Sequence, residues 1–208
     1  NLAPGHKLVG FLTNKGGPSE TYSTYVAKAC ADVGIIYEAR PVDRWDLENA
    51  IIEANQDDDV HGILVYYPIL SGYDSYLQNL VDPDKDVEGL NFFWLRHLYA
   101  DDRAVDDCPP IIPCTPLAIR KILSAIGFHT LEGQVISIFN RSEVVGRPLA
   151  AMLAHDGGDV YSFDAHGVIR YRKFGPSDVE IIRSEALLMS DIIITGVPTP
   201  FDIGARDI

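Results

Sequence analysis

The sequence is poor in cysteine, and this shortage excludes two kinds of site. Only three cysteines occur in 208 residues, Cys30, Cys108 and Cys114, and no two of them have C-x-x-C spacing. An odd number of cysteines without paired spacing is typical of thiols in a reducing compartment rather than of a disulfide framework or a zinc site. We therefore expect a cytoplasmic protein without a metal centre.

The sequence also lacks long apolar runs and an excess of positive charge. No apolar segment approaches the ~20 residues that cross a bilayer, and none has the order of a signal peptide. The chain does not begin with methionine, so the lack of a signal peptide in this sequence is weak evidence about where the protein is located. Acidic residues number 30 against 17 basic ones, a formal net charge of −13, and no basic stripe is present. Nucleic acid and membranes are therefore not expected as partners.

What the sequence contains is a regular alternation of short apolar runs and helix-like segments. In the first half, residues 7–13, 35–42 and 62–69 are predicted strands, and 20–33 and 45–55 are predicted helices. After the prolines at 113 and 116, we predict helices at 116–126, 148–155 and 180–189 and strands at 135–140, 159–163 and 191–197. The pattern predicts an α/β fold of two domains, residues 1–114 and 115–208, with parallel sheets covered on both faces.

The segment from 135 to 155 is a candidate dinucleotide site. A strand, a loop over 141–147 and a helix opening with Pro148 would place backbone N–H groups and a helix dipole at one point, which suits a pyrophosphate. The usual fingerprint has three glycines, and this loop has only Gly146, so a plain β–α turn is the alternative. Arg141 and Ser142 are natural phosphate donors. The candidate cofactor residues here are Asn140, Arg141, Ser142, Val145, Gly146 and Arg147.

A second cofactor signal lies at the ends of the next two strands. Asp164 follows Gly146 by 18 residues, close to the ~20 expected for an acid that binds ribose hydroxyls. A carboxylate there would repel a 2′-phosphate, which favours NAD over NADP; the alternative is that Asp164 only caps a turn. Thr195, Gly196 and Val197 end the last strand, where ligands approach an open parallel sheet.

Four segments together resemble a known family. They are GILVYYP at 62–68, DKDVEGL at 84–90, PCTP at 113–116 and NRSEVVGRP at 140–148. In this order and spacing they are similar to the methylenetetrahydrofolate dehydrogenase/cyclohydrolase family. The resemblance implies two α/β domains, the second Rossmann-like, with folate in the cleft between them. It also implies oxidation of 5,10-methylenetetrahydrofolate to the 5,10-methenyl form in one-carbon and purine metabolism, and a homodimer.

The departures from the family pattern concern the hydrolytic step. Bifunctional members carry Tyr-x-x-x-Lys on the first helix, but here Tyr22 is followed at that spacing by Val26. Lys28 lies two positions further on, about 200° around a helix, so we interpret it as a surface lysine. The family's Val-Gln-Leu-Pro is replaced by a sequence with Tyr66 at the glutamine position. The loss of both polar groups predicts that cyclohydrolase activity is absent.

Further departures concern the cofactor and the active-site acid. Asn140 stands where NADP-using members have glycine, and Asp164 stands where they have residues suited to a 2′-phosphate. In the Asp-Val-Asp-Gly motif, Glu88 replaces the second aspartate. This combination resembles the monofunctional, NAD-dependent members of the family.

The resemblance and the chemistry suggest a role for each candidate residue. Hydride loss leaves a cation delocalised over two nitrogens, and a carboxylate beside the pterin would stabilise this cation. We assign this role to Glu88. The alternative is that Glu88 is an acid on the protein surface. Cys114 is a catalytic candidate, although it could be a buried structural cysteine. Tyr22, Tyr66 and Asp86 are candidate substrate-binding residues, with a helix-core role as the alternative for Tyr22.

Two other functions remain open from the sequence. One is a bifunctional dehydrogenase/cyclohydrolase with a relocated lysine. The other is a catalytically silent folate- or nucleotide-binding protein, because family members continue beyond Pro198 and the C-terminal part of the NAD-binding domain is expected to be missing.

Overall fold

The computed structural model describes residues 5–13, 16–70 and 72–196. The chain divides into two compact units, Asn1–Trp94 and Leu95–Ile208, which we call the N-terminal and the C-terminal unit. Both contain a sheet and helices, so the predicted α/β architecture is confirmed.

The N-terminal unit is built on a three-stranded parallel sheet with the order β2-β1-β3. Its elements in chain order are β1 Lys7–Leu12, α1 Pro18–Val33, β2 Ile36–Pro41, α2 Leu47–Gln56, β3 Gly62–Val65 and α3 Asp74–Leu80. Helix α4, Phe92–Tyr99, contains the boundary between the two units. Helix α1 begins two residues before the predicted start because Pro18 fits the first helical turn, and Gly34 ends it with φ 79°.

The core of this unit lies between the sheet and α2. Val9 and Phe11 of β1, together with Ile63 and Val65 of β3, pack against buried residues of α2 such as Ile51. All four residues of β3 are buried, as the continuous apolar run predicts for a covered parallel strand. The strand ends at Val65 instead of residue 69, and Pro68, which follows, has no backbone N–H to continue the strand ladder.

The C-terminal unit contains a five-stranded sheet with the order β7-β6-β5-β4-β8. Its elements are α5 Cys114–Ala125, β4 Val135–Phe139, α6 Gly146–His155, β5 Asp159–Asp164, β6 Gly167–Arg172, β7 Gly175–Asp178, α7 Arg183–Met189 and β8 Ile192–Thr195. Strand β4 is parallel to both β5 and β8. Its side chains Ile136 and Ile138 pack against Leu149 and Leu153 of α6.

The parallel pairing of β4 with β5 and β8 agrees with the predicted parallel sheet, but the sheet also has an antiparallel extension that was not predicted. Strands β6 and β7 are antiparallel to their neighbours, and neither was predicted. The reason lies at the end of β5, where Asp164 Oδ1 accepts the backbone N–H groups of His166 (2.7 Å) and Gly167 (3.1 Å). These bonds close a tight hairpin in a stretch for which no strand was predicted, and the helix predicted at 180–189 follows it as α7. Helices α3 and α4 were also missed.

No helix among the described residues is long and apolar enough to cross a membrane.

Candidate functional site

The candidate substrate residues Tyr22 and Tyr66 meet just after the end of β3. Their rings form an edge-to-face pair with centroids 5.6 Å apart. The buried hydroxyl of Tyr66 is hydrogen-bonded to that of Tyr37 (2.8 Å), which is hydrogen-bonded in turn to Ser23 Oγ (2.7 Å). Burial, followed by the bond to Tyr37, raises the pKa of Tyr66. The Tyr66 hydroxyl is therefore a neutral hydrogen-bonding group rather than a base.

The position of the family's hydrolytic lysine is apolar here. Val26 packs against a small buried cluster formed by Leu12, Leu64 and Tyr66. Lys28 is exposed on the surface of α1. The two departures from the bifunctional pattern, at positions 26 and 66, thus lie in one cluster, where valine contributes methyl groups and no amine.

Asp86 shapes the turn that follows its own position. Its carboxylate accepts the backbone N–H groups of Glu88 (2.9 Å), Gly89 (2.9 Å) and Asn91 (2.8 Å). Burial raises the pKa of Asp86, and these hydrogen bonds act in the opposite direction. Gly89 has φ 64°, a conformation that favours glycine in such a turn. The substrate-binding role of Asp86 stays a prediction, and the structure gives it a role in placing Glu88.

Glu88 is a half-buried carboxyl with a strongly perturbed pKa. Burial, and after it the charge of Asp86, raises the pKa of Glu88 to about 8. A carboxyl next to a like charge and away from water is typical of functional sites. Glu88 lines a cavity of about 10 Å³ together with Asp86, Gln78 and Tyr67. Tyr67 is a residue that the sequence analysis did not single out.

The loop between β4 and α6 is held by hydrogen bonds from Asn140 and Ser142. Asn140 Nδ2 donates to the carbonyl oxygen of Gly196 (2.6 Å), and its Oδ1 accepts the N–H of Ser142 (2.8 Å). Ser142 Oγ accepts the N–H groups of Val145 (3.2 Å) and Gly146 (3.4 Å) at the start of α6. A Cβ atom at Gly146 would clash with the carbonyl oxygen of Asn140. The single glycine of this loop is therefore needed for the close approach of the loop to the helix.

Arg141 and Asp164 form an ion pair between this loop and the end of β5. Arg141 Nε donates to Asp164 Oδ2 at 2.7 Å, and Arg141 Nη2 contacts Asp164 Oδ1. The hydrogen bond from Arg141 is the largest effect that lowers the pKa of Asp164, so this acid is ionised at neutral pH. Asp164 also caps the β5–β6 turn through His166 and Gly167, the role that the sequence analysis named as the alternative.

The remaining candidate residues are placed as follows. Arg147 is exposed in the first turn of α6, 3.5 Å from Glu143. Thr195 is the last residue of β8 and pairs in register with Phe139. Cys114 is the first residue of α5, which begins two residues before the predicted start, and its side chain is exposed. Val197 lies outside the described residues.

The C-terminal edge of β4, β5 and β8 fits a nicotinamide dinucleotide. Asn140, Asp164 and Thr195 stand at the ends of three neighbouring parallel strands, beside the N-terminus of α6. Open α/β sheets bind dinucleotides at this edge, with the pyrophosphate at the helix N-terminus and the ribose hydroxyls on an acid. In the described part of the chain, no group of three His, Cys, Asp or Glu side chains could hold a metal ion.

Comparison with family models decides the classification. Residues 2–88 match the catalytic domain of tetrahydrofolate dehydrogenase/cyclohydrolase, and residues 113–197 match its NAD(P)-binding domain. The chain belongs to the tetrahydrofolate dehydrogenase/cyclohydrolase family. The resemblance found in the sequence is thus confirmed.

Individual relatives place the chain within this family. It is 44% identical over 213 residues to the methylenetetrahydrofolate dehydrogenase [NAD(+)] of Schizosaccharomyces pombe, covering 93% of this chain and 67% of the relative. The structure of the NAD-dependent 5,10-methylenetetrahydrofolate dehydrogenase from Saccharomyces cerevisiae superposes with a TM-score of 0.85 at 38% identity, covering 93% of this chain and 69% of that one. A bifunctional FolD protein of Macrococcus caseolyticus is 30% identical over 198 residues, covering 93% of this chain and 63% of that protein.

Proposed function

We propose that this chain oxidises 5,10-methylenetetrahydrofolate to 5,10-methenyltetrahydrofolate with NAD⁺ and has no cyclohydrolase activity. The observation that carries the proposal is the placement of Asp164, an ionised carboxylate at the end of β5 in a family member. A carboxylate at this position binds ribose hydroxyls and repels a 2′-phosphate. The higher identity to NAD-dependent relatives than to the bifunctional one supports the same conclusion.

The roles of the substrate residues follow from their chemistry. Bound NAD⁺ supplies the hydride acceptor. Glu88, once ionised, stabilises the positive charge that develops on the pterin nitrogens as the hydride leaves. Tyr22 and Tyr66 offer an aromatic pair for the planar part of the folate, and Asp86 holds the turn that carries Glu88. Cys114, at the exposed start of α5, is proposed as a further active-site residue.

The cofactor residues form one set at the ends of β4, β5 and β8. Asn140, Ser142, Val145 and Gly146 shape the loop at the start of α6, with Arg147 beside it. Arg141 orients Asp164 toward the ribose, and Thr195 and Gly196 follow from the neighbouring strand. Val197, outside the described residues, is proposed as a further cofactor residue from the sequence alone. We assign residues 1–114 to the folate domain and 115–208 to the NAD domain.

The apolar cluster next to Val26 supports the absence of cyclohydrolase activity. Hydrolysis of the methenyl product needs an amine to activate water, and position 26 instead packs a valine against the cluster of Leu12, Leu64 and Tyr66. A homodimer in the cytoplasm belongs to the same proposal. It is supported by the family resemblance and by the thiol state of all three cysteines. Light scattering on a size-exclusion column would test the dimer.

A parallel spectrophotometric assay tests the function. The protein is given methylenetetrahydrofolate with NAD⁺ or NADP⁺, and separately methenyltetrahydrofolate alone. We expect turnover with NAD⁺, less with NADP⁺, and hydrolysis no faster than in buffer. Faster hydrolysis would identify a bifunctional enzyme, and folate binding without turnover would identify a silent binding protein.

A further inference from the structure

The hydroxyl group of Tyr67 is buried without a hydrogen-bond partner among the described residues. The ring of Tyr67 packs against the apolar cluster of the N-terminal unit, which includes Ile63, Val65 and Leu77. Its Oη atom is shielded from solvent and makes no hydrogen bond within the described part of the chain. A buried unsatisfied polar group costs roughly 1–3 kcal/mol, and phenylalanine would fill the same space without this cost. The hydroxyl group therefore needs an explanation other than stability.

The environment of this hydroxyl group contains the proposed catalytic carboxyl. Tyr67, Gln78, Asp86 and Glu88 are the polar side chains around the cavity of about 10 Å³ that lies below the end of β3. Both oxygens of Asp86 already accept backbone N–H groups of the turn. Glu88 is therefore the carboxyl in this cavity that could accept a hydrogen bond from the Tyr67 hydroxyl group.

We propose that Tyr67 is a positioning residue whose hydroxyl group donates a hydrogen bond to the carboxylate of Glu88 when the folate binds. The inference rests on the proposed function, in which Glu88 must be ionised to stabilise the developing cation. Both side chains line the same cavity of about 10 Å³, which is about the space that one water molecule needs, so the hydrogen bond would run directly or through a single water.

The expected consequence is an effect on ionisation. A hydrogen bond to the charged form lowers the pKa of a carboxyl, whereas burial and the charge of Asp86 raise the pKa of Glu88. Burial, followed by the charges of Glu88, of Asp86 on the same turn as Glu88 and of Asp74 at the start of α3, raises the pKa of Tyr67. Tyr67 thus stays protonated and can donate.

The test compares Tyr67→Phe with the wild type across a range of pH. We expect the acidic limb of the kcat/KM profile to move up by about one pH unit, and kcat/KM at neutral pH to fall about 10-fold. The apparent affinity for NAD⁺ and the melting temperature should not fall. A superimposable profile would overturn the inference.

Two controls make the result specific. Ser162→Ala removes the other buried hydroxyl group that lacks a partner among the described residues, and this residue lies on β5, outside the N-terminal unit. Its profile should match the wild type. In a Glu88→Gln background, Tyr67→Phe should have no further effect on kcat/KM. If Glu88→Gln is as active as the wild type, the proposed function of Glu88 fails; if only Tyr67→Phe is silent, this inference alone fails.

Discussion

Arg141 and Asp164 are 23 residues apart in the sequence and form a two-point ion pair in the C-terminal unit. The pair joins the loop after β4 to the end of β5, which are the two places that contact a dinucleotide in this type of sheet. Because the guanidinium group of Arg141 is mostly shielded, the pair fixes the direction of the Asp164 carboxylate. One contact thus connects the shape of the phosphate loop with the preference for the cofactor.

Replacement of Asp164 should change the cofactor preference. Asp164→Ser removes the ribose acceptor and frees Arg141 to meet a 2′-phosphate. We expect the KM for NAD⁺ to rise about 10-fold, in line with a lost hydrogen bond to a charged group, and the use of NADP⁺ to improve. Steady-state kinetics with both cofactors measure this. Asp57→Ser is the matched control, since Asp57 caps a turn at the N–H of Asp59 in the other unit. An unchanged KM for NAD⁺ would show that Asp164 only caps its turn.

A methyl group at position 146 should disturb the loop before α6. In Gly146→Ala the new Cβ would clash with the carbonyl oxygen of Asn140, and neither backbone segment can give way cheaply. We expect a loss of about 1–3 kcal/mol in the free energy of unfolding, the usual cost of overpacking, together with weaker NAD⁺ binding. Denaturant titration and cofactor binding report the two effects. Leu188→Ala, at an exposed position of α7, should leave both nearly unchanged. Equal stability of Gly146→Ala and the wild type would contradict the close approach.

The cluster around Val26 offers a test of the missing hydrolytic step. Val26→Lys places an amine next to the cluster that contains Tyr66, where desolvation lowers the pKa of a lysine. Tyr66→Gln restores the glutamine that bifunctional members of the family have at this position. We expect the double variant to hydrolyse methenyltetrahydrofolate faster than buffer, while Tyr66→Gln alone does not. Lys28→Ala, at an exposed position of α1, should have no effect. If the wild type hydrolyses methenyltetrahydrofolate and Lys28→Ala does not, Lys28 would instead be the lysine of the hydrolytic step.

The pKa of Glu88 predicts how stability depends on pH. This pKa is raised to about 8 in the folded protein, against about 4.3 for an unperturbed glutamate. A raised pKa means that the contribution of Glu88 to stability is fully present below about pH 4 and is lost as the pH rises through about 8. The melting temperature of the wild type should therefore fall more between about pH 4 and about pH 8 than that of Glu88→Gln. Glu53→Gln, at an exposed position of α2, should follow the wild type. Parallel slopes for wild type and Glu88→Gln would rule out the perturbed carboxyl.

Much of the fold could be predicted from the sequence because its signals are local. The apolar run of β3, the helical spacing of α1 with Gly34 at its end, and the strand–loop–helix around Gly146 are each encoded within a few residues. The hairpin of β6 and β7 was missed because parallel strands were assumed, although Asp164 and Gly167 carry a turn signal.

The sequence by itself determined the family, the two α/β series and the loss of the lysine at position 26, since these depend on residue identity and spacing. The tertiary structure decided which side chains meet. The register of β4 against β5 brings Arg141 to Asp164, and the turn held by Asp86 brings Glu88 to the cavity with Tyr67. Such contacts join residues about 20 apart in the chain, and no local pattern specifies them, because they arise only when the strands and turns pack together.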